Sequence, residues 1–154
     1  MNKLKYLGYS VVFQEVPNEV SLAINISGCP YKCRGCHSEY LWEYDGNYLC
    51  DDIYDLVQQY NGLITCVCFM GGDQNPLDLL YCFNIVKQHG LKICLYSGCD
   101  NRLSLYPIAH YCDYLKIGHY DEELGGLNNP TTNQKFYSRV NDTFIDTTYL
   151  FQGA

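Results

Sequence analysis

The sequence predicts an α/β fold built as a partial (incomplete) β/α barrel. Three observations carry that expectation. Apolar, strand-like segments alternate with helical ones, the arrangement that produces parallel β-α-β units. The units are too few to close a full eight-stranded barrel. Candidate ligand-binding segments follow directly on the strands, at the ends where open α/β folds and barrels place their sites. A chain of 154 residues with 47% apolar content can bury one real core but not two, so residues 1–154 are expected to form a single domain.

Taken in order, Tyr9 to Gln14 is rich in β-formers and reads as a strand, with Pro17-Asn18 as the turn after it. Ser21 to Ile26 is a second, more buried strand running into Ser27-Gly28. Glu39 to Tyr44 reads as a short helical turn carrying Trp42, the sole tryptophan, which is assigned to core packing. Asp51-Asp52 followed by Ile53, Leu56, Val57 and Tyr60 has helical spacing, with acidic residues where the dipole favours them, and Asn61-Gly62 ends it. Leu63 to Met70 is the next strand. Its Cys66 and Cys68 face one side at a two-residue period and read as core thiols.

Asn75-Pro76 opens a helix through Leu79, Leu80, Phe83, Val86 and Lys87, closed at Gly90. Leu91 to Tyr96 is another strand, ending in Ser97-Gly98-Cys99. Pro107 interrupts any helix between Arg102 and Tyr111, so that stretch stays undecided. Tyr114 to Gly118 is a short strand. From His119 to Tyr137 the chain reads as a polar, glycine-rich loop of the kind that covers a site.

The densest chemistry lies just after the strand ending at Ile26, in Cys29-Pro30-Tyr31-Lys32-Cys33-Arg34-Gly35-Cys36-His37. Thiolates are soft ligands for iron–sulfur clusters or zinc, and close spacing lets one loop wrap one inorganic core. A closed zinc site or an electron-transfer cluster wants four protein ligands. This loop offers three, spaced C-x3-C-x2-C. Three thiolates on a four-iron cluster leave one iron open to a small molecule. The alternatives are buried thiols acting as small hydrophobes, a zinc knuckle completed by His37, or an electron-transfer cluster that takes Cys50 as fourth ligand. Against zinc, the adjacent Cys36 and His37 can hardly both turn onto one tetrahedral ion.

A second motif, Gly71-Gly72-Asp73, follows the strand ending at Met70. Two glycines there let a ligand approach the backbone, and the aspartate supplies an acceptor for a cation.

The cysteine spacing and Gly71-Gly72-Asp73 resemble the signatures of radical S-adenosylmethionine (SAM) enzymes. With Tyr96-Ser97-Gly98 and the tail from His119 through Thr131-Thr132-Asn133-Gln134-Lys135 to Tyr137, the whole chain resembles the activating proteins of anaerobic (class III) ribonucleoside-triphosphate reductase. The resemblance implies a partial barrel of the radical SAM type. It implies a [4Fe–4S] cluster on Cys29, Cys33 and Cys36, and SAM held by Gly71, Gly72 and Asp73 with a contact from Ser97. The activity implied is formation of a 5′-deoxyadenosyl radical that makes a glycyl radical on the reductase. A low-potential donor such as flavodoxin would supply the electron. The cofactor then carries the chemistry, and no side chain acts as general acid or base. Gly35 stands where many radical SAM enzymes carry an aromatic residue near the adenine, which leaves that contact to Tyr31 or His37. An activase of another glycyl-radical enzyme, such as pyruvate formate-lyase, would share these site residues.

Net charge of −7 argues against a phosphate-binding surface and hence against nucleic acid. No apolar run reaches a membrane span, and no signal-peptide stretch follows Met1-Asn2-Lys3. The expectation is a cytoplasmic protein with its ten cysteines reduced, and His89, His110 and His119 as surface or structural residues. The loop from Gly125 to Gln134, with Tyr120 and Tyr137, is the candidate surface for docking a protein substrate.

Overall fold

A computed structural model describes residues 1–153. The strands are β1 (Lys5–Val12), β2 (Ser21–Ile26), β3 (Asn47–Tyr48), β4 (Cys66–Met70), β5 (Lys92–Tyr96), β6 (Tyr114–Ile117), β7 (Lys135–Val140) and β8 (Thr143–Asp146). They form one mixed sheet in the order β3-β1-β2-β4-β5-β6-β7-β8. The central run β2-β4-β5-β6 is parallel, and both flanks are antiparallel.

Two helices make the crossovers, α1 (Leu49–Tyr60) from β3 to β4 and α2 (Pro76–Gln88) from β4 to β5. Asn75 caps α2 by accepting from the Asp78 N–H at 3.1 Å, with Pro76 at the first helical position, where its missing N–H costs nothing. The buried stripe of α1 (Ile53, Leu56, Val57) and that of α2 (Leu79, Phe83, Val86) pack on one face of the sheet, against Ile24, Val67, Phe69, Ile93 and Leu95. The opposite face holds Ala23, Cys66, Cys68, Cys94 and Phe136, covered by Val16, Leu127 and Phe151. Cys66 and Cys68 are thus core thiols, and burial pushes Cys66 well above the ordinary thiol range.

Between β5 and β6 the undecided stretch forms two short 3-10 turns, Arg102–Leu105 and Ile108–Tyr111, on either side of Pro107. The first strand begins earlier than its β-forming residues suggested and ends at Val12. The tail needs a larger correction. The loop after β6 stops at Gln134, and Lys135–Tyr137 already belong to β7, which turns back into β8. The turn residues Asn141 (φ 51°) and Asp142 (φ 63°) are both left-handed, the backbone of a two-residue type I′ hairpin. No helix among the described residues is long and apolar enough to cross a membrane.

Glu19, two residues before β2, ties that end of the sheet to β5 and β6. It is 8% exposed and accepts from the Tyr114 hydroxyl at 2.5 Å and from Lys92 Nζ at 3.0 Å. Burial alone would raise its carboxyl, but these hydrogen bonds outweigh burial and hold it below the usual carboxylate range. Glu19→Gln is expected to cost about 1–3 kcal/mol at neutral pH. A depressed folded pKa means this contribution is present above the unfolded value of about 4.3 and fades as pH falls through the folded one. Urea unfolding at neutral and acid pH checks this: the gap between wild type and variant narrows in acid, and a pH-independent gap contradicts it.

Candidate functional site

Parallel strands end on one side of the sheet, and the site lies there. Register places Asn25, Met70, Tyr96 and Lys116 in one row across β2, β4, β5 and β6. Met70, Tyr96 and Lys116 from that row line a cavity of about 170 Å³. The same cavity is lined by Cys29, Cys33 and Cys36, by Gly71-Gly72-Asp73, and by Ser97. The three loop cysteines, Gly71-Gly72-Asp73 and Ser97 are thus brought to this one place, whereas His37 and Cys50, the alternative metal ligands, do not line it.

The cysteine loop is zipped at its ends. Gly28 N–H donates to the Glu43 carbonyl (3.2 Å) and Cys29 N–H to the Leu41 carbonyl (2.9 Å), while the Ser27 hydroxyl donates to the Asp45 carbonyl (2.5 Å). Two thiol sulfurs accept backbone N–H groups, Cys36 Sγ from Ser38 and Cys33 Sγ from Tyr120, each at 3.3 Å. Gly35 has a structural cause here. Its φ is +77°, and a Cβ at that position would lie 2.5 Å from Glu122 Oε2. The strap His119–Glu123 therefore closes on the loop where a side chain at residue 35 would stand. Glu122 pairs with Arg34 at 2.8 Å, an exposed contact, and the Tyr120 ring packs on His37 with centroids 5.5 Å apart.

Asp73 is held from two sides. Its Oδ2 accepts from the Tyr31 hydroxyl at 2.6 Å and from the Ser97 hydroxyl at 2.9 Å. Gln74 Nε2 donates to the carbonyl of Ser27 at 3.2 Å, tying this turn to the base of the cysteine loop. The glycines differ in what they permit. A Cβ on Gly71 would make ordinary contact with Ile26 at 3.7 Å, whereas one on Gly72 would lie 2.9 Å from Leu79 and 3.0 Å from Ile26. Gly72 is thus constrained by the core beneath it, while it also lines the cavity.

Lys116 is the residue that sequence reasoning missed. Its Nζ donates to the carbonyls of Ser97 (3.3 Å) and Gly118 (2.8 Å). Burial pushes its pKa down to about 8, against the opposing pull of Cys33, Cys29, Asp73 and Cys36. A lysine inside the apolar run Tyr114–Ile117 was the available signal. Trp42 also lines the cavity instead of the core alone, and its buried Nε1 has no hydrogen-bond partner. Gln134 is buried at the same cavity and donates to the Gly118 carbonyl at 3.3 Å. A groove of about 1080 Å³ shares Cys36, Ser38, Lys116, Tyr120 and Gln134 with the cavity and continues along Gly125 to Pro130.

The remaining candidates lie elsewhere. The Cys50 thiol faces Cys82 between the helices and the Asp78 carbonyl at 3.8 Å, and it does not line the cavity. His89 bridges the Ile85 carbonyl and Gln58, and His119 pairs with Asp100 at 2.8 Å. Among the described residues no group of three or more His, Cys, Asp or Glu side chains is gathered as a site for a metal ion. The chain matches no family model, no curated protein and no solved structure.

Gly72→Ala is expected to destabilise the fold by about 1–3 kcal/mol, because the new methyl meets packed side chains at a left-handed φ. Urea unfolding of the variant checks it, and an unchanged midpoint contradicts the close approach of Leu79 and Ile26.

Proposed function

We propose that this chain is a radical SAM activating enzyme that generates a glycyl radical on the anaerobic ribonucleoside-triphosphate reductase. The observation that carries the reading is the shared cavity: three thiols from one loop line the same space as Asp73, Ser97 and Lys116, at the C-terminal ends of four parallel strands. The open parallel run with helices on one face supports a partial barrel of the radical SAM type.

The residues fit a [4Fe–4S] cluster by their chemistry. The donor set is three soft thiols, two of them backed by N–H groups, with the partly buried Lys116 lining the same cavity. A cluster is larger than one ion, so its thiolates stand further apart than the ligands of a single metal. Cys29, Cys33 and Cys36 would hold three irons and leave the fourth open. Such a cluster, held by these three cysteines, would supply the electron for reductive cleavage of the SAM C–S bond, the chemistry that yields a radical able to take a hydrogen atom from a glycine of the reductase.

The side chains of this protein bind and shield. Asp73 accepts from the ammonium of the amino-acid end, and Lys116 faces its carboxylate, so the pair matches a zwitterion. Gly71 leaves the backbone open to approach. The apolar walls from Ile26, Leu41, Trp42 and Met70 exclude water from a reactive radical. The groove along Gly125 to Pro130 would admit a glycine-bearing loop of the partner, and a low-potential protein such as flavodoxin would be the donor.

Cys29→Ala, Cys33→Ala and Cys36→Ala are each expected to prevent stable assembly of four irons on anaerobic reconstitution. Ala at Cys50, Cys66, Cys68, Cys82, Cys94, Cys99 or Cys112 should spare iron content, and a dependence on any of these seven as strong as on the loop cysteines refutes an open iron. The function itself is tested by electron paramagnetic resonance on the reduced protein mixed with SAM and the reductase. A glycyl-radical doublet on the reductase is expected. A doublet on pyruvate formate-lyase instead reassigns the partner, and SAM cleavage with a radical on neither protein refutes the activase reading.

A further inference from the structure

Tyr31 sits between Cys29 and Cys33, yet its hydroxyl reaches Asp73 on the far side of the cavity. Three observations define what it does there. Its ring lies flat against Gly98: a Cβ on that glycine would be 2.7 Å from Tyr31 Cγ and Cδ2. Its hydroxyl and that of Ser97 both donate to Asp73 Oδ2, at 2.6 and 2.9 Å. The Ser97 hydroxyl in turn accepts from the Cys99 N–H at 3.0 Å, so its one proton is committed to Asp73. Among the described residues no hydrogen bond reaches Asp73 Oδ1.

A carboxylate with one oxygen saturated by two hydroxyls cannot rotate freely, and its other oxygen is presented in a fixed direction. That is preorganisation for a cationic donor, and the hydroxyls achieve it without placing a positive charge that would compete. An anion held this way selects an ammonium group over a neutral donor.

We propose that Tyr31 is a positioning residue for the amino-acid end of the ligand: it clamps Asp73 Oδ2 so that Oδ1 meets the ligand ammonium, and it links that presentation to the cysteine loop. The inference rests on the reading of the cavity as a SAM site. Since Tyr31 lies between two cluster-holding cysteines, ordering of the loop by those cysteines also fixes Asp73. The loop and the aspartate are then one unit, although 42 positions separate Tyr31 from Asp73.

The test compares wild type, Tyr31→Phe, Asp73→Ala and the double variant, each reconstituted anaerobically and titrated with SAM and with 5′-methylthioadenosine, which lacks the amino-acid end. Tyr31→Phe keeps the ring and removes the hydroxyl. It is expected to leave iron content unchanged, weaken SAM by about tenfold and leave 5′-methylthioadenosine unaffected. It should have no further effect when Asp73 is already Ala, because a residue acting through another is silent in its absence. Gly98→Ala, at a backbone position with no left-handed φ, pushes the ring aside by contact and should reproduce the loss. Equal weakening of both ligands, or additivity with Asp73→Ala, overturns the inference and leaves Tyr31 a packing residue. Unchanged SAM affinity in Tyr31→Phe overturns it too while the wild-type reading stands. Wild type that carries iron but binds no SAM refutes the site reading itself, and with it the role of Tyr31.

Discussion

Four parallel strands that end together are the constraint on which the rest of this structure depends. Parallel pairing needs a crossover between successive strands, so the loops leaving the C-terminal ends all gather on one side of the sheet. The register across Met70, Tyr96 and Lys116 makes the strand ends level. The loops after β2, β4, β5 and β6 therefore meet at one edge of the sheet. Cys29 follows β2 by three residues, Asp73 follows β4 by three, and Ser97 follows β5 directly.

Meeting is not enough, because loops of different conformation must also hold one another. The hydrogen bonds that do so run between loops: Gln74 to Ser27, Ser97 and Tyr31 to Asp73, Tyr120 to Cys33. Two glycines allow the close approaches, Gly35 under Glu122 and Gly98 under Tyr31. The polar groups so arranged include one carboxylate, one partly buried lysine and three thiols.

What was legible in the sequence was local. β2, α1 and α2 follow from apolar spacing and caps, and the cysteine loop from spacing along one segment, since such signals need no knowledge of distant neighbours. The hairpin β7–β8 escaped because its strands are flank strands with mixed faces: Lys135 to Tyr137 were read into the preceding loop, and nothing was assigned beyond Tyr137. Tyr31 was one of two candidates, with His37, for the adenine contact, and nothing near it in sequence reveals that its hydroxyl turns to Asp73. Trp42 was assigned to the core by default for its size, though its ring also borders the cavity. Gly72 was read as clearance for a ligand, and a constraint not visible in the sequence is that a Cβ there would crowd Leu79 on α2 and Ile26 on β2. These are tertiary facts, fixed by which elements pack together.

In the proposed function Cys29, Cys33 and Cys36 hold a cluster with one iron left open to SAM. Electron paramagnetic resonance of the reduced, anaerobically reconstituted protein, recorded with and without SAM, tests it most directly. The account predicts a four-iron signal whose g-values shift on adding SAM, as a new ligand reaches the open iron. A four-iron signal indifferent to SAM, or a protein that takes up zinc and assembles no cluster, would contradict it.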